Sequence, residues 1–545
     1  MKYLLIPSAK FAPDNLPNYG NIPMALYPVN GHTILHHIIN NYSSDYKVVV
    51  CGYEGLDRLR HHLRHKKYRG VQLVELDGLT DLGGSIQAML EAIHVTNEDK
   101  VTINFADTLI DSNALVGDVI FSISQFENDK KWTYFTQNEG VITSIVDKKE
   151  KPDEGTEYQL FVGVINLAHP KDFLEALQAR SAVEKPSLFL ALQDYSNAHH
   201  FEFTHADNWL DLGHPDDYFN SVLSVKAREF NHIAFDKNRG IITKTSKDIA
   251  KFNGEIRWFH EIPRQLSYVH PRIFDFDIGE SPYVEMEFYS YPTLLELSLY
   301  GDLPKKQWRT IFERILFVLN DFAEYRIKSK QIKPSLYEMY CTKTVERIEA
   351  LRNNPSLASF FEGTIEVNGK KYRNLSEISK MIDGIVKDNL LSIEEFQVVH
   401  GDLCFGNILI DNNFNFVKLI DPRGKFGSFS VYGDPRYELA KLFHSVDGKY
   451  DFIIKDLFEV SRDGNVINYT FYEKRGFSLY NLMKNVFAPL IGKNLREIEI
   501  IESLLFFSMV ALHGEDINHQ YAMLACALEI LNRNIPIEIA EQAKR

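Results

Sequence analysis

Four polar residues within one short segment have the types and spacing that phosphoryl transfer requires. The segment is VVHGDLCFGNILIDNNFNFVKLIDPRG, and the residues are His400, Asp402, Asn407 and Asp421. Apolar runs alternate with polar turns here, which predicts that the four side chains lie at strand ends and loops rather than in a core. A carboxylate such as Asp402 can orient an acceptor hydroxyl and take its proton, while an amide oxygen and a second carboxylate can hold Mg²⁺ against a triphosphate. The segment therefore predicts a magnesium-dependent phosphoryl-transfer site.

The alternative is that these are ordinary turn residues, because Asp and Asn favour turns. Their joint spacing favours chemistry, and the segment resembles the HxDxxxxN loop followed by ID of aminoglycoside phosphotransferases and choline kinases. The resemblance implies ATP as the phosphoryl donor, Asp402 as the catalytic base and His400 as a brace of the loop. It also implies Asn407 and Asp421 as the Mg²⁺ ligands. Gly401 replaces the Arg of eukaryotic protein kinases and no APE-like segment follows, which points to a small-molecule acceptor.

The elements that must position this site begin after about residue 225. REFNHIAF, GIITKTS and SPYVEMEFYSY predict strands, with a helix over KDIAKFNGEIRWFHEI. From about residue 303 helical periodicity dominates, with Trp308, Ile311, Ile315, Leu319 and Phe322 as a core stripe. We therefore expect a bilobal, protein-kinase-like α+β domain over 226–545, with a small lobe over about 226–300 and a helical lobe over about 301–545. Downstream, GDPRYELAKL supplies Asp434, which by the resemblance would anchor the backbone of the catalytic loop.

The nucleotide end of the expected cleft needs a lysine on a strand and a glutamate on a nearby helix that aims it. Lys244 in GIITKTS and Glu255 in KFNGEIRWF resemble that pair. Three other charged residues compete for these roles, and any of them could be a surface charge: Lys247, Lys251 and Glu261.

A stretch from Glu285 to Tyr289 resembles the hinge that contacts adenine through backbone groups, which places Glu287 beside the nucleotide. Its sequence also fits a buried strand, and the two interpretations are compatible. The acceptor stays open, since a choline-like compound, a polyol and a sugar all carry the required hydroxyl.

The first 225 residues have a different pattern, in which short apolar strands alternate with amphipathic helices. KYLLIPSA, YKVVVCG, VQLVEL and KVTINFAD are the strand-like runs. This alternation predicts an α/β, Rossmann-like domain with a mostly parallel sheet covered on both faces. Ligands of such sheets bind at the carboxyl ends of the strands. Ser8–Gly20 and Asp107 are therefore expected at the site.

Several segments of this domain, in order, resemble sugar-phosphate nucleotidyltransferases. They are NIPMALYPVNGHTILHHII, LGGSIQAMLEAI, INFADTLI, EKP and NWLDLGHPDDY, and together they span nearly all of residues 1–220. The resemblance implies transfer of a nucleoside monophosphate to a phosphorylated small molecule, with release of pyrophosphate. CTP or another nucleoside triphosphate would be the substrate. Asp107 and Asp211 would share a Mg²⁺ ion between the two reacting phosphates.

Other residues of the same segments would contact the nucleotide and the acceptor. Gly83, Gly84 and Ser85 precede a predicted helix, where backbone N–H groups and small side chains allow a ligand to approach closely. Lys148 and Lys151 are candidates to bind an anionic acceptor.

The phosphate loop departs from the family pattern. SAKFAPDNLPNYGNIP contains no arginine, and Ile22 precedes Pro23 where a lysine is expected. Lys10 is the candidate to replace one of these cations as a catalytic group. We take the loop as diverged but active, and keep a ligand-binding domain without turnover as the alternative.

Composition and net charge disfavour several other classes of protein. The 545 residues are 45% hydrophobic and 25% charged, and their formal net charge of −14 disfavours nucleic-acid binding. Four widely spaced cysteines favour a reducing cytoplasm over a disulfide framework, and no apolar run predicts a signal peptide or a membrane span.

Taken together, these patterns predict a bifunctional cytoplasmic enzyme with small-molecule substrates. A kinase domain would make the substrate of a nucleotidyltransferase domain, and the resemblance implies bacterial surface-glycan decoration, such as capsule. Two alternatives remain, a kinase with an inactive nucleotidyltransferase-like domain and a non-catalytic scaffold of a capsule pathway. The oligomeric state stays open.

Overall fold

A computed structural model describes the chain from residue 1 to residue 539, with internal gaps. The residues outside the description are 112–115, 125–129, 150–155, 182–187, 216, 219, 223–232, 237, 474 and 540–545. The chain divides into two compact units, Met1–Glu229 with Tyr300–Asp302, and Phe230–Leu299 with Leu303–Arg545. The boundary expected between residues 225 and 226 lies outside the described residues. Within the described ranges, no helix has the length and apolarity that crossing a membrane would take.

The first unit is built on a nine-stranded sheet. Seven strands lie side by side in the order Val141–Asp147, Thr133–Asn138, Gln159–Leu167, Lys100–Asn104, Lys2–Ser8, Tyr46–Gly52, Gln72–Glu75. Two further strands branch from this row, Val119–Ile123 and Glu202–His205. The four strands from Lys100–Asn104 to Gln72–Glu75 are parallel, which confirms the expected α/β class.

The central strands are mostly apolar after their first one or two residues because both faces of the sheet are covered. Leu4, Leu5 and Ile6 are all fully buried, as expected for a parallel sheet between helical layers. The covering helices are Ile34–Asn40, Leu56–His62, Leu82–Ala92, Pro170–Ser181 and Leu188–Ser196.

Strand register brings the predicted polar segments to one edge of this sheet. Ser8 pairs with Gly52, and the parallel strand Lys100–Asn104 ends at the same edge. Two short strands, Thr108–Leu109 and Leu210–Asp211, then pair antiparallel, with Asp211 opposite Thr108. This pairing brings Asp211 beside Asp107 although they are far apart in sequence.

The second unit begins with a small antiparallel sheet. Its strands lie in the order Ile233–Asp236, Ile241–Thr245, Tyr283–Glu287, Ile273–Asp277. Helix Ile249–Glu261 follows the second strand and is capped by Asp248, whose side chain accepts from the Lys251 N–H. The sequence interpretation missed the edge strand Ile273–Asp277.

The rest of the second unit is mainly helical. The helices are Leu294–Leu299, Lys305–Ala323, Ile332–Tyr337, Lys343–Ala350, Leu375–Asn389, Pro435–Val446, Tyr450–Ile454, Leu479–Val486, Ala488–Ile491, Leu495–Leu512 and Ile517–Asn534. The core stripe expected from Trp308 to Phe322 is confirmed, since all five side chains are at most 2% exposed.

Short strands connect these helices in three groups. The groups are Arg326–Lys328 with Glu395–Val398 and Tyr432–Gly433, Ile408–Ile410 with Val417–Leu419, and Lys370–Tyr372 with Ile365–Val367, Val466–Phe471 and Phe458–Asp463. A small sheet followed by a helical lobe is the architecture expected of this half.

Candidate active sites

A short hairpin positions two of the predicted phosphoryl-transfer residues. Strands Ile408–Ile410 and Val417–Leu419 pair antiparallel, so Asn407 and Ile420 lie opposite each other. The Ile420 N–H donates to the Asn407 carbonyl at 3.1 Å. The Asn407 Nδ2 donates to the Asp402 carbonyl at 2.9 Å, which leaves the Asn407 Oδ1 as the amide atom that can bind a cation. Asp421 follows directly, with a positive φ of 57°.

An ion-pair cluster joins the small sheet to this hairpin. The Lys244 Nζ lies 2.6 Å from the Glu255 Oε1 and 2.7 Å from the Asp421 Oδ1. Strand Ile241–Thr245 carries the lysine, and helix Ile249–Glu261 carries the glutamate. The two residues predicted as a pair therefore make direct contact with each other and with a predicted metal ligand.

Burial and charge set the ionisation of this cluster. Burial, reinforced by the Asp421 carboxylate, raises the pKa of Glu255 to about 7. Burial alone would lower the pKa of Lys244, but the two carboxylates outweigh it and the pKa is raised. The lysine therefore stays charged, and the Asp421 side chain is 51% exposed and open to a ligand.

The predicted catalytic base has an ion-pair partner that the sequence interpretation missed. The Lys441 Nζ lies 2.7 Å from the Asp402 Oδ1, and the lysine side chain is only 8% exposed. Burial alone would raise the pKa of Asp402, but the Lys441 ammonium outweighs it and lowers the pKa to about 2. Asp402 is therefore ionised at neutral pH.

His400 occupies a buried position between the loop that carries Asp402 and residues 421–424, the predicted metal-ligand segment. Its Nδ1 accepts from the Asp402 N–H at 3.3 Å, so its Nε2 carries the proton and donates to the Ile420 carbonyl at 2.9 Å. Burial lowers the pKa of His400 to about 4, which keeps the ring neutral. The Trp258 indole packs edge-on against it, with ring centroids 5.6 Å apart. These contacts brace the loop.

The acid that anchors the loop backbone is Glu438, and the expectation for Asp434 was wrong. The Glu438 carboxylate accepts from the His400 and Gly401 N–H groups, both at 2.8 Å. Asp434 instead caps helix Pro435–Val446 and pairs with Arg436 at 2.7 Å. The anchor lies one helical turn further along, where its side chain faces the loop.

Two glycines allow close backbone approach around this site. Gly401 has a φ of 80°, and a Cβ there would lie 2.9 Å from the Arg423 Cβ. Gly424 has a φ of 61°, and a Cβ there would lie 1.9 Å from the Gly254 carbonyl oxygen. Because Gly254 precedes Glu255, the second contact fixes the metal-ligand segment against the helix that carries the glutamate.

The residues that competed with Lys244 and Glu255 lie elsewhere. Lys247, Lys251 and Glu261 are exposed, and Glu261 accepts a hydrogen bond from Ser430. None of them contacts Lys244 among the interactions of the described residues.

The predicted hinge is the end of strand Tyr283–Glu287. The Glu287 carboxylate accepts from the Tyr289 hydroxyl at 2.8 Å. The residue pairs with Ile241, whereas Lys244 pairs with Val284. Since side chains alternate between faces, the Glu287 side chain lies on the opposite face of the sheet from Lys244, and only its backbone is suited to adenine.

In the first unit, two carboxylates converge at the sheet edge. A Cβ on Gly213 would lie 2.7 Å from the Asp107 Oδ2, and the Gly213 N–H donates to the Asp211 Oδ1 at 3.1 Å. Burial, with the nearby Asp211 charge, raises the pKa of Asp107 to about 6. A shared cation would relieve this repulsion, so the pair fits a divalent metal.

His214 is a neighbour of this pair that the sequence interpretation missed. Its Nδ1 lies 2.7 Å from the Asp211 Oδ2, and this hydrogen bond raises the pKa of His214. The ring also packs against Trp132, with centroids 4.6 Å apart. The only sequence signal was the short distance from Asp211 along the chain.

The diverged phosphate loop is closed by backbone contacts. The Ala12 N–H donates to the Ile22 carbonyl at 2.9 Å, and the Phe11 N–H donates to the Glu54 carboxylate at 2.9 Å. Lys10 is exposed and is the sole Lys or Arg between residues 8 and 25.

The predicted Gly–Gly–Ser segment forms the first turn of helix Leu82–Ala92. The Asp81 carboxylate caps this helix by accepting from the Gly84 N–H at 2.9 Å. The Ser85 hydroxyl is 2% exposed and donates to the Asp81 carbonyl at 3.2 Å, and Gly83 is buried. The side chain of Ser85 is therefore engaged locally.

Of the two lysines predicted to bind the acceptor, the structure describes only Lys148. Lys148 is exposed just beyond strand Val141–Asp147, with a φ of 52°. Lys151 and the rest of the EKP element lie outside the described residues.

Known structures similar to the chain include nucleotidyltransferases and a phosphotransferase. The CTP:phosphocholine cytidylyltransferase of Streptococcus pneumoniae is 15% identical with a TM-score of 0.33, over 41% of this chain and 99% of that one. The inositol-1-phosphate CTP transferase of T. maritima is 16% identical with a TM-score of 0.32, over 42% of this chain and 96% of that one. An aminoglycoside-3'-phosphotransferase of type VIII is 12% identical with a TM-score of 0.28, over 56% and 97%.

Both expected families thus have members among the structural neighbours. No protein-family model matches the chain, and no curated protein matches it significantly. At these identities and TM-scores the likenesses carry no argument about substrates or residue roles. Those roles are inferred below from the side-chain geometry.

Proposed function

We propose that the second unit is an ATP- and Mg²⁺-dependent kinase of a small hydroxyl compound. The observation that carries this proposal is the cluster in which Lys244 contacts both Glu255 and Asp421, at 2.6 and 2.7 Å. The catalytic-loop residues Asp402 and Asn407 are hydrogen-bonded to each other and linked through Ile420 to Asp421. A lysine, a helix glutamate, an amide and two further carboxylates are the groups that phosphoryl transfer needs.

Each residue has a role that follows from its contacts. Lys244, aimed by Glu255, binds the α- and β-phosphates of ATP. The ionised Asp402 accepts a hydrogen bond from the acceptor hydroxyl and takes its proton as the new P–O bond forms. The Asn407 Oδ1 and the Asp421 carboxylate are hard oxygen donors that fit Mg²⁺. When bound, this ion would offset charge on the triphosphate.

We propose that the first unit joins the phosphorylated product to a nucleoside monophosphate taken from CTP or another nucleoside triphosphate. A phosphate oxygen of the product attacks the α-phosphorus, and the bond to the β-phosphate breaks to release pyrophosphate. Asp107 and Asp211 would hold Mg²⁺ between the two anions, and the raised pKa of Asp107 supports a cation site there. Lys10, Lys148 and Lys151 would bind phosphate oxygens.

The product of the two reactions would be a nucleoside diphosphate derivative of the acceptor. Joining the steps in one chain is chemically sensible because the kinase product is the transferase substrate. We propose decoration of a bacterial surface glycan, such as capsule, as its use, in the cytoplasm where nucleotides are made available.

A second candidate is a kinase whose first unit binds a nucleotide-like ligand without turnover. The observation that favours it is the diverged loop, in which Lys10 is the sole Lys or Arg between residues 8 and 25. Two positive charges near a triphosphate are difficult to replace.

Pyrophosphate release separates the two candidates. The protein is incubated with Mg²⁺, one of CTP, UTP, GTP and ATP, and a panel of phosphorylated amino alcohols, polyols and sugars. Release with one pair, and its loss in Asp107→Asn, supports the transferase. If no pair releases pyrophosphate, the transferase proposal fails while the kinase proposal stands.

The kinase proposal has its own test in Asp402→Ala. Loss of ATP-dependent acceptor phosphorylation in this variant is the expected result. Full activity in Asp402→Ala would remove the assignment of the base. If the wild-type protein turns over no ATP with any acceptor, a scaffold role in the same pathway is favoured instead.

A further inference from the structure

A cavity lies in the small-sheet region of the second unit, lined mostly by residues to which no role in phosphoryl transfer is assigned. Its volume is about 610 Å³, and it is bounded by helix Ile249–Glu261, edge strand Ile273–Asp277 and the segment between them. Lys418, on strand Val417–Leu419, completes the lining. Of the residues assigned above, Glu287 and Tyr289 of the predicted hinge reach it.

Positive charge dominates the polar part of this lining. Arg264, Arg272 and Lys418 contribute ammonium or guanidinium groups, and the lining also includes two imidazoles, whereas Glu287 is its one acid. This is unexpected in a chain whose formal net charge is −14. A cavity with three cations and one carboxylate favours an anionic occupant.

Several of these groups are available to a ligand. Arg264 and Arg272 are exposed and form no ion pair with the described residues, and the Arg272 guanidinium lies 4.9 Å from the Phe274 ring centroid. His270 is 6% exposed, yet its Nε2 has no hydrogen-bond partner in the described structure. A buried polar atom without a partner is costly, and a ligand would supply one.

His270 offers the cavity a hydrogen-bond acceptor. Its Nδ1 is bonded to the Pro271 carbonyl at 2.6 Å, and burial lowers the pKa of His270, which favours the neutral ring. The Nε2 of that ring can accept a hydrogen bond from a polar N–H or O–H of a ligand. The Lys418 Nζ donates to the carbonyls of Tyr268 and His270, at 2.8 and 3.2 Å, which fixes a cation at the wall.

The remaining lining is apolar and aromatic. Phe259, Phe276 and Tyr289 present ring surface, and Ile256 and Ile273 add aliphatic surface. Such a wall binds a flat ring by burial and stacking, while polar groups at one end set its orientation.

We infer that this cavity binds a small organic anion that carries an aromatic ring. The anionic group would face Arg264, Arg272 and Lys418, and the ring would contact Phe259 and Phe276. Because Phe259 belongs to the helix that carries Glu255, an occupant would contact the element that aims Lys244. The site goes beyond the proposed reactions and does not depend on either of them.

Two fluorescent dyes test the inference without a known ligand. The probes are 1-anilinonaphthalene-8-sulfonate and N-phenyl-1-naphthylamine, which has the same rings but no charge. We expect the sulfonate to bind the wild-type protein at least tenfold more tightly than the neutral dye. In the Arg264→Glu, Arg272→Glu double variant its Kd should rise at least tenfold, while the neutral dye is unaffected.

Arg257→Glu is the matched control, since Arg257 is exposed on the same helix and does not line the cavity. It should leave both Kd values within twofold of wild type. Equal binding of the two dyes, or a Kd for the sulfonate in the double variant within twofold of wild type, would overturn the inference.

Hydrogen exchange measured by mass spectrometry locates the dye. With the sulfonate bound, amides of helix Ile249–Glu261 and strand Ile273–Asp277 should exchange more slowly. Protection confined to other segments, such as the hairpin of Ile408–Ile410 and Val417–Leu419, would place the dye elsewhere and contradict the inference.

Discussion

At the residue scale, two carboxyl groups of the second unit have opposite pKa shifts because their surroundings differ. Asp402 has a buried lysine as partner and its pKa is lowered to about 2, whereas burial raises the pKa of Glu255 to about 7. A base that is ionised at neutral pH can hold an acceptor hydroxyl, although it accepts the proton only as the transition state forms. The Lys441 ammonium is thus a positioning group that acts through Asp402.

Replacing Lys441 should change the pH dependence of the kinase reaction. In Lys441→Met, the largest opposition to the effect of burial on the pKa of Asp402 is lost and only the weaker effects of His400 and Arg423 remain. The acidic limb of the kcat/KM profile should therefore move up by about one pH unit or more. Lys441→Arg should restore most of the wild-type profile. An unchanged acidic limb in Lys441→Met, measured on a correctly folded protein, would show that Lys441 does not act through Asp402.

Lys244 should be needed for turnover, in contrast to the exposed lysine beside it. Lys244→Met removes the cation that contacts both Glu255 and Asp421, and we expect kcat/KM to fall by about 10²–10³-fold. In Lys247→Met, kcat/KM should stay within about twofold of the wild-type value, because the Lys247 side chain is exposed and its charge is screened by solvent. Product formation from ATP measures both, and equal losses would contradict the assignment of Lys244.

Asp107 gives a prediction that links stability to pH. Burial and Asp211 raise its pKa to about 6, so the folded state holds the proton more tightly than the unfolded chain does. The ionised carboxyl therefore costs stability above about pH 6, and this cost disappears as the pH falls toward the ordinary carboxyl pKa of about 4. Asp107→Asn should raise the free energy of unfolding by about 1–3 kcal/mol at pH 7.5 and by little at pH 4.5.

Calorimetry with and without Mg²⁺ checks this prediction. Mg²⁺ should raise the Tm of the wild type and have a smaller effect on Asp107→Asn, because the substitution removes one of the two metal-binding carboxylates. Asp207→Asn, a change to an exposed side chain, should match wild type throughout. A lower Tm for Asp107→Asn at pH 7.5 would show that the carboxylate pair is not strained.

The sequence predicted the site residues that share one short segment, but not those that reach the site only after folding. Asp402, Asn407 and Asp421 lie within one segment whose spacing is itself a signal. Lys441 and Glu438 reach the same loop from a helix about 40 residues further on, through contacts that exist only after folding. Sequence spacing carries no information about such contacts, which is why the anchoring role was assigned to Asp434.

At the element scale, the metal-ligand segment and helix Ile249–Glu261 approach each other closely at two glycines. A Cβ on Gly424 would lie 1.9 Å from the Gly254 carbonyl oxygen, so no side chain fits between the two backbones. The contact keeps Glu255 and Asp421 within reach of one lysine.

Gly424→Ala should therefore separate two elements that the kinase reaction needs together. We expect the free energy of unfolding to fall by about 3 kcal/mol or more, since both overpacking and a left-handed backbone are penalised. We also expect a large loss of kinase turnover. Gly464→Ala is the matched control, because Gly464 has a φ of 56° but open space around it. Gly464→Ala should lower the free energy of unfolding by only about 1 kcal/mol. Chemical denaturation compares the two, and equal losses would mean that backbone conformation alone matters.

Elements with strong local patterns were predictable, whereas those set by tertiary pairing were not. The strand Lys2–Ser8 has a continuous apolar run from Tyr3 to Pro7, and the helix that contains Trp308 has a clear apolar stripe. Edge strand Ile273–Asp277 has only five residues, three of them exposed, so the alternation of Phe and Asp at its end is too short to be a strong strand signal. Its pairing with Tyr283–Glu287 is what makes it a strand.

At the scale of the whole molecule, each compact unit carries its own set of converging polar groups. The first has the Asp107 and Asp211 carboxylates at the edge of a parallel sheet, and the second has the cluster around Lys244. Two sites on one chain suit consecutive reactions, in which a phosphomonoester made by one unit is consumed by the other. The two α/β and α+β architectures followed from the order of strand and helix patterns, whereas the identity of the acceptor did not, since it depends on the shape of a pocket.

The measurement that tests this account most directly is ³¹P NMR of the protein with Mg²⁺, ATP, CTP and a pooled panel of amino alcohols, polyols and sugars. We expect a new phosphomonoester signal first and a pyrophosphate-diester signal after it. Asp402→Ala should abolish both, and Asp107→Asn should abolish only the second. A wild-type spectrum with no phosphomonoester, or one that Asp402→Ala leaves unchanged, would contradict the account.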